Sequence, residues 1–434
     1  MFAKLFTNVA IFDGSGSDPF PGEVLVEGNR ITRVAPGNNR IPKETGVELI
    51  NGRGACLMPG LVEAHGHISF PDVKSLTELG EIPPEEHVLK TMHNARLMLD
   101  SGFTSVYSAA SAKPRIEVAI RNEINAGRIP GPRLRAASPE LCSTGGLGDE
   151  RLAHLDRHGL EAIVDGADDM RRAVRFLIRE GVDTIKLNLS GDAFVRPGFG
   201  ERCAFSEPEV AAASEEAHDR GCWLSCHARA DRAIRLALKY NFRAIYHCDY
   251  ATSETIDMLE AVKDKIFLAP AIGIIYTTSY EAEPWGFTPE VVERMGLIPM
   301  IERSQQVHQE MRKRGLRVLP GGDYGFAWNR NGTNARDLQH FVNLFGYTPK
   351  EVLSAATKLG GQIMDMGNEL GLVKEGYLAD LLLIDGDPVQ DVSLLQDRDN
   401  LIMIMKNGDY HKAPSVRSPD KPSCLESKPD FVKQ

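Results

Sequence analysis

The stretch LVEAHGHISF, residues 61–70, ends an apolar run with two histidines one residue apart. Alternate side chains of a strand point to the same face, so His65 and His67 would face one side and could share a metal ion. A hydrogen-bonded turn that contains two histidines by chance is the alternative. Twelve histidines in 434 residues produce about 0.3 such pairs at random, so the ends of the other strands must decide between these interpretations.

Seven further apolar runs follow this one, and the runs alternate with segments of helical periodicity. The eight runs are LVEAH (61–65), TSVYSA (104–109), RLRAAS (133–138), TIKLNL (184–189), WLSCHA (223–228), AIYHC (244–248), IFLAPAI (266–272) and RVLPGGD (317–323). Strands that alternate with helices predict a parallel sheet, and eight such units predict an α/β fold, the (β/α)8 barrel of the TIM type. We expect the barrel over residues 58–373, with one long helix over 289–314.

Residues 1–57 and 374–412 instead have short alternating segments separated by turn residues. The pairs Gly28-Asn29 and Asn51-Gly52 favour tight turns between paired strands. We therefore expect one small β-sandwich domain built from both chain ends. Residues 413–434 are rich in proline, serine and charge, which predicts a polar C-terminal tail, disordered or lying on a neighbouring subunit.

The composition argues against several classes of protein. The formal net charge of −10, from 50 basic and 60 acidic residues, gives no reason to expect a nucleic-acid partner. No apolar run is long enough to span a membrane, and the first residues lack the apolar block of an export signal. The seven cysteines are odd in number and irregularly spaced, as in reduced cytoplasmic proteins. We expect a cytoplasmic protein in which Cys222, Cys226 and Cys248 pack in the core.

Potential metal ligands stand at the carboxyl ends of five predicted strands, the edge where barrel enzymes carry their chemistry. They are His65 and His67 on the first strand, Lys186 on the fourth, His227 on the fifth, His247 on the sixth and Asp323 on the eighth. The histidines could instead be hydrogen-bonded core residues, and Asp323 could cap a turn. Lys186 is harder to explain in this way, because an unpaired ammonium group in a buried strand is costly. We therefore favour one shared site, in which Lys186 is paired, neutralised or chemically altered.

This order of residues resembles that of the amidohydrolase superfamily. CLMPGLVEAHGH (56–67) is similar to the family's entry into the barrel, and residues 351–388 are similar to its exit into the β-domain. The resemblance implies two divalent metal ions, for which zinc is expected and cobalt, manganese or iron are the alternatives. His65, His67 and Asp323 would hold one ion and His227 and His247 the other. Lys186, carboxylated by carbon dioxide, would bridge them as a carbamate.

The implied activity is hydrolysis of a C–N bond of amide, carbamate or urea type in a small molecule. A hydroxide shared by the two ions would attack, with Asp323 as general acid and base. Residues 244–278 most resemble the imidazolonepropionase-like branch that contains molinate hydrolase and the phenylurea hydrolases. Phenylurea hydrolases of this kind have Asn in place of the first metal histidine, whereas this chain has His65. Relatives are commonly oligomers, which implies a homo-oligomer here.

Three alternatives remain open at this point. Hydrolysis of acyl-amino acids or dipeptides would use the same site. A deaminase would need one metal ion, and Lys186 argues against it. A non-catalytic scaffold would have lost metal ligands, whereas all six ligand-type residues are present.

The loops after the strands should line the substrate pocket. The candidate pocket residues are Phe70, Asn188, Arg229, Tyr250, Tyr276, Trp285 and Trp328. Arg229 could bind a substrate carboxylate, or form a salt bridge with Asp231 or Asp249 at the barrel rim. Tyr276, Tyr280 and Trp285 could form an aromatic lid over a hydrophobic amide, or pack against the barrel or a neighbouring subunit.

Overall fold

Residues 3–154 and 159–415 are described by a computed structural model. The tail predicted at 413–434 lies outside the described residues from position 416 onward. The strands are β1 (Lys4–Ile11), β2 (Phe20–Glu27), β3 (Arg30–Pro36), β4 (Glu48–Asn51), β5 (Cys56–Pro59), β6 (Leu61–Gly66), β7 (Phe103–Ser108), β8 (Arg133–Arg135), β9 (Ala137–Cys142), β10 (Ala162–Ile163), β11 (Thr184–Asn188), β12 (Trp223–Ala228), β13 (Ala244–His247), β14 (Phe267–Ala269), β15 (Leu381–Ile384), β16 (Leu401–Lys406) and β17 (Asp409–Lys412).

Helices separate most of the strands from β6 to β14 and follow the last of them. The α-helices are α1 (Leu76–Glu81), α2 (Pro84–Asp100), α3 (Ile116–Asn125), α4 (Ala167–Arg179), α5 (Glu207–Asp219), α6 (Asp231–Lys239), α7 (Ser253–Ala261), α8 (Ile272–Tyr280), α9 (Pro289–Met295), α10 (Leu297–Lys313), α11 (Arg336–Phe345), α12 (Pro349–Ser354) and α13 (Gly360–Ile363). The predicted single helix over 289–314 is wrong, because Gly296 adopts a left-handed conformation (φ 72°) that ends α9 before α10 begins.

Both ends of the chain contribute to one eight-stranded sheet, in the order β17-β16-β15-β5-β1-β2-β3, with β4 paired to β1. The hairpin expected at Gly28-Asn29 is present, since β2 and β3 pair antiparallel there. The hairpin expected at Asn51-Gly52 is wrong. β4 and β5 both run parallel to β1, one after the other along it, so the chain keeps its direction through this turn. A sheet from both chain ends is therefore present, while the domain boundaries and the sandwich form stay predictions.

The strands from β6 to β14 pair only in parallel, in two sheets of order β6-β7-β8 and β10-β9-β11-β12-β13-β14. The predicted third strand is divided between the sheets, because β8 pairs with β7 whereas β9 pairs with β11. The residues of β6, β7, β9, β11 and β13 are buried throughout, as in a sheet covered on both faces.

The predicted eighth strand, 317–323, is reduced to a parallel bridge between Val318 and Leu268 of β14. The Ala64 N–H of β6 also donates to the Pro320 carbonyl, at 3.4 Å. Pro320 has no N–H to donate, and two glycines follow it, so the ladder stops there. The α/β class and the strand order are as predicted; closure of these strands into a complete barrel stays a prediction.

Alternating side chains of the eight-stranded sheet pack into different apolar clusters. Leu382 and Ile384 of β15 join the large cluster formed by the parallel strands and their helices, whereas Leu381 and Leu383 join a cluster within the sheet itself. The sheet therefore shares an apolar core with the parallel strands and their helices.

Two expectations from the sequence concern membrane-spanning helices and buried cysteines. Within residues 3–154 and 159–415, every helix is too short or too polar to cross a bilayer. The six cysteines in this part of the chain are free, and Cys222, Cys226 and Cys248 are buried as expected.

Candidate functional site

All six predicted metal ligands line one cavity, of about 260 Å³, at the carboxyl ends of the parallel strands. His65 belongs to β6, Lys186 to β11, His227 to β12 and His247 to β13, and Asp323 follows the reduced eighth strand. Strand order alone brings these residues together, because parallel strands present their carboxyl ends on the same side. The spatial convergence that the sequence predicts is therefore present.

His65, His67 and Asp323 form a compact group. Their potential ligand atoms all lie within 4.8 Å of one another. Nε2 of His67 is 3.2 Å and Nε2 of His65 is 3.7 Å from the same carboxylate oxygen of Asp323. Asp323 has a φ of 59°, a left-handed conformation that is uncommon for residues other than glycine. This backbone geometry turns the carboxylate toward the two imidazoles.

His227 and His247 form a second group beside the first. Their ring centroids are 4.4 Å apart, and the His247 ring is 5.5 Å from that of His65. His247 also has a left-handed backbone, with a φ of 74°. Four imidazoles therefore share one side of the cavity.

Backbone carbonyls fix one nitrogen on three of these imidazoles. Nδ1 of His67 lies 3.0 Å from the Ala110 carbonyl, Nε2 of His227 lies 3.0 Å from that of Gly191, and Nδ1 of His247 lies 3.3 Å from that of Pro270. When one ring nitrogen donates to a carbonyl, the other keeps its lone pair for a metal ion.

Burial favours the neutral form of His65, His227 and His247. It lowers the pKa of His227 to about 4, and it lowers the pKa of His65 and of His247 well below the ordinary value. Neutral imidazole is the form that binds metal ions. A donor set of four imidazoles, an aspartate oxygen and a lysine fits divalent metals of the zinc type.

Lys186 is almost completely buried but has partners. Its ammonium nitrogen lies 3.8 Å from Oε1 of Glu140 and 5.0 Å from the centre of the Tyr246 ring. Glu140 stands on β9, directly beside Lys186 in the strand register, and it also lines the cavity. Glu140 was not predicted, although it lies only two residues beyond the predicted third strand (133–138), which was a usable signal.

Of the predicted pocket residues, Phe70, Arg229 and Trp328 line the cavity, whereas Asn188, Tyr250, Tyr276 and Trp285 are not among its lining residues. The Asn188 amide donates to Glu140 and to the Leu147 carbonyl, both at 2.9 Å, so it supports the wall from behind. Tyr250 packs against the Arg303 guanidinium, 4.9 Å from the centre of its ring. These residues therefore lie outside the lining of this cavity, and their role toward a substrate stays a prediction.

None of the three residues considered for an aromatic lid, Tyr276, Tyr280 and Trp285, is among the lining residues of the cavity. Tyr276 packs on Tyr280 and on His340, with centroid distances of 4.8 and 4.5 Å, as the packing alternative predicted. The same segment after the seventh strand instead supplies Ile274 and Phe287 to the cavity.

Arg229 is held between two buried carboxylates. It donates to Asp192 at 2.6 Å and also to Asp249. The alternative of a salt bridge with Asp249 is therefore correct, whereas Asp231 pairs with Arg235. One guanidinium between two carboxylates leaves no net positive charge to attract a substrate carboxylate.

Three buried acids lie behind the cavity and were not predicted. Glu63 accepts hydrogen bonds from the His65 backbone and the Asn334 amide, at 2.9 and 2.8 Å, and burial raises its pKa to about 8. Burial also raises the pKa of Asp337 and of Glu117 to about 7. These groups position the segments that carry the ligands.

Comparison with known proteins identifies the family of the chain. The sequence pattern of the amidohydrolase family matches residues 56–410. The chain belongs to the amidohydrolase family. It is therefore a hydrolase that acts on carbon–nitrogen bonds.

Relatives match this amidohydrolase over most of its length. Ochratoxinase of Aspergillus niger is 26% identical over 428 residues, which cover 94% of this chain and 86% of the relative. Imidazolonepropionase of Rubrobacter xylanophilus is 24% identical over 416 residues, which cover 89% and 90%. The structure of a prolidase complexed with N-methylphosphonate-L-proline has a TM-score of 0.84 at 22% identity, over 94% of this chain and 99% of that chain.

The fold is also that of two proteins of the predicted branch. Structures of molinate hydrolase and phenylurea hydrolase B share the fold, with TM-scores of 0.76 and 0.71 at 18% and 20% identity. The amidohydrolase thus has the fold of both groups that the sequence of residues 244–278 resembles.

Proposed function

We propose that this amidohydrolase hydrolyses an amide, carbamate or urea bond of a small molecule, using two divalent metal ions. The observation that carries the proposal is the convergence of all six predicted ligand-type side chains, from five strand ends, on one cavity. His65, His67 and Asp323 would hold one ion and His227 and His247 the other. Lys186 would bridge them as a carbamate, and zinc is the expected metal.

The residues present fit this metal pair. The three ligand atoms of the first group are already within 4.8 Å of one another, and the two imidazoles of the second are stacked edge to face. Carbonyl partners hold His67, His227 and His247 in orientations that leave one nitrogen of each ring available. When bound, such ions lower the pKa of water and polarise the carbonyl of a substrate.

The chain's own residues would move the proton and shape the reaction space. Asp323 would accept a proton from the attacking water at its carboxylate and pass it to the leaving nitrogen, so that the amine departs neutral. His65 and His67, on either side of that carboxylate, keep it oriented toward the cavity. The apolar side chains around Phe287 and Trp328 would exclude bulk water from the developing charge.

The proposed partner is therefore a small molecule. A homo-oligomer and a cytoplasmic location remain proposals that follow from the sequence alone.

The test is to strip the protein with a chelator, reload it with zinc in the presence of bicarbonate, and screen amides, N-acyl amino acids, phenylureas and carbamates. We expect hydrolysis of at least one class and a loss of about 100-fold or more in Asp323→Asn. Asp409→Asn, an exposed carboxylate on β17, is the matched control and should keep full activity. Ammonia release from an amino-substituted ring by a protein with one zinc would point instead to a deaminase, and inactivity with two zinc ions bound would refute the proposal.

A further inference from the structure

Five aromatic side chains form a continuous row along one wall of the cavity. Phe70 stacks on the ligand His67 with a centroid distance of 4.3 Å. Beyond it the row, which we call the aromatic row, continues through Phe326, Trp328, Phe287 and Phe194. Successive ring centroids are 6.1, 5.5, 4.8 and 6.2 Å apart, within the range of favourable aromatic pairs.

The aromatic row leads from the metal ligands to the cavity mouth. Phe70 is 3% exposed, Phe326, Trp328 and Phe287 are half-buried, and Phe194 is 36% exposed. Four different loops supply these rings, so their alignment is a property of the cavity and not of one apolar segment. Edges and faces left open by this packing are available to a further ring.

Hydrogen bonds fix the middle of the row. The Trp328 indole donates from Nε1 to Oγ1 of Thr278 at 2.8 Å. The neighbouring Phe326 N–H donates to the Asn329 carbonyl at 3.2 Å, and residue 326 also bridges to Val73. A preorganised platform of this kind costs little conformational entropy when a ligand binds.

Other residues of the lining are charged. Glu140 and Lys186 lie on one pair of strands, and Asp192 and Arg229 form an ion pair nearby. The remaining lining cation away from the ligands, Lys74, is exposed at the mouth. A substrate thus meets an aromatic wall, two ion pairs and Lys74 at the mouth, in a space of about 260 Å³. A protein cavity of about 150 Å³ can hold benzene, so this space suits one aromatic ring with an amide and a short substituent.

We propose that the aromatic row binds an aromatic group on one side of the scissile C–N bond, so that the substrates are aryl or arylalkyl amides and their carbamate or urea analogues. This inference rests on the proposed function for the scissile bond. Phe287 and Trp328, whose rings are 4.8 Å apart, are the specificity-determining residues. Stacking and edge contacts favour an aromatic ring over a saturated ring of similar size.

The test uses two ketones that lack a C–N bond and so cannot be hydrolysed by this chemistry: acetophenone and cyclohexyl methyl ketone. Their dissociation constants are measured by ligand-observed NMR on the full chain, both zinc-loaded and chelator-treated. We expect acetophenone to bind about two- to tenfold more tightly than its saturated analogue. Phe287→Leu and, separately, Trp328→Leu should bring this ratio close to one, because leucine keeps apolar volume but removes the ring. Phe176→Leu, an exposed aromatic on α4, should leave the ratio unchanged.

Equal binding of the two ketones, binding of neither, or a ratio that survives both leucine variants would overturn the inference. The same ratio of kcat/KM for matched benzoyl and cyclohexanecarbonyl amides provides an independent measurement. If the ketone preference is present but no C–N bond is cleaved by the zinc-loaded protein, the proposed function fails and the aromatic site stands. If amides are cleaved without any aromatic preference, only the present inference fails.

Discussion

The ammonium nitrogen of Lys186 lies 3.8 Å from Oε1 of Glu140, its neighbour across the β9–β11 strand pair. This contact gives the buried lysine a partner, which is one of the three possibilities that the sequence left open. If Lys186 is carboxylated, its negatively charged carbamate would lie close to the Glu140 carboxylate, and the two anions would repel each other.

Glu140→Gln should therefore make carboxylation of Lys186 easier. We expect the variant to reach half-maximal zinc loading at a bicarbonate concentration several-fold lower than the wild type, measured by metal analysis after reconstitution. Glu150→Gln, a change at another carboxylate of the same cavity, is the control and should behave like the wild type. A bicarbonate requirement that stays equal or rises in Glu140→Gln would contradict this electrostatic explanation, as would full activity in Lys186→Ala.

Substitution of a ligand in one group should weaken metal binding at that group only. Wild-type protein should bind two zinc ions per chain, whereas His247→Gln should bind the second ion at least about tenfold more weakly and retain the first, held by His65, His67 and Asp323. Equilibrium dialysis with metal analysis measures both sites. His93→Gln, an exposed histidine on α2, should keep two ions. Simultaneous loss of both ions in His247→Gln would mean that the groups do not form separate sites.

The features of this protein that depend on the order of residues along the chain could be predicted from the sequence. His65, Lys186, His227 and His247 could be placed together because each lies on a buried parallel strand, and parallel strands align their carboxyl ends. The β-sheet from both chain ends followed from turn residues and alternation.

Contacts between side chains that are far apart in the sequence could not be predicted in this way. Whether Arg229 faces a substrate or a neighbouring acid depends on Asp192, 37 positions away, and on the turn that buries Asp249. The choice of Phe287 over Tyr276 as a cavity residue depends on where α8 ends and how the chain turns after it. Tertiary packing determines both positions, and it produces no periodic pattern in the sequence.

Arg229 should contribute to stability more than to substrate recognition. Arg229→Met leaves the buried carboxylates of Asp192 and Asp249 without their cation, so we expect a loss of about 3–5 kcal/mol in the free energy of unfolding. Chemical denaturation measures this loss. Arg172→Met, which breaks an exposed ion pair with Asp169 on α4, should cost less than about 1 kcal/mol. In any Arg229 variant that still folds, the ratio of kcat/KM for carboxylate-bearing and neutral substrates should not change; a selective loss of the charged substrates would restore the role of Arg229 as a carboxylate anchor.

Asp337 should make the stability of the protein depend on pH in an unusual direction. Its carboxylate is fully buried, accepts a hydrogen bond from the Gly321 N–H at 2.8 Å, and has a pKa raised to about 7 by burial. In the unfolded chain the same carboxyl has a pKa of about 4, so the folded state holds the proton more tightly. Ionisation therefore destabilises the fold increasingly as the pH rises from about 4 through 7, and the effect is complete above that.

Asp337→Asn removes this cost while keeping an acceptor for Gly321. We expect the stability advantage of the variant over the wild type to be about 2 kcal/mol larger at pH 8.5 than at pH 5.5. Denaturant titrations at the two pH values measure both differences. Asp168→Asn, at a carboxylate that is 90% exposed on α4, should show no gain that grows with pH. If the advantage of Asp337→Asn were the same at both pH values, amide packing and not removal of a buried charge would be its cause.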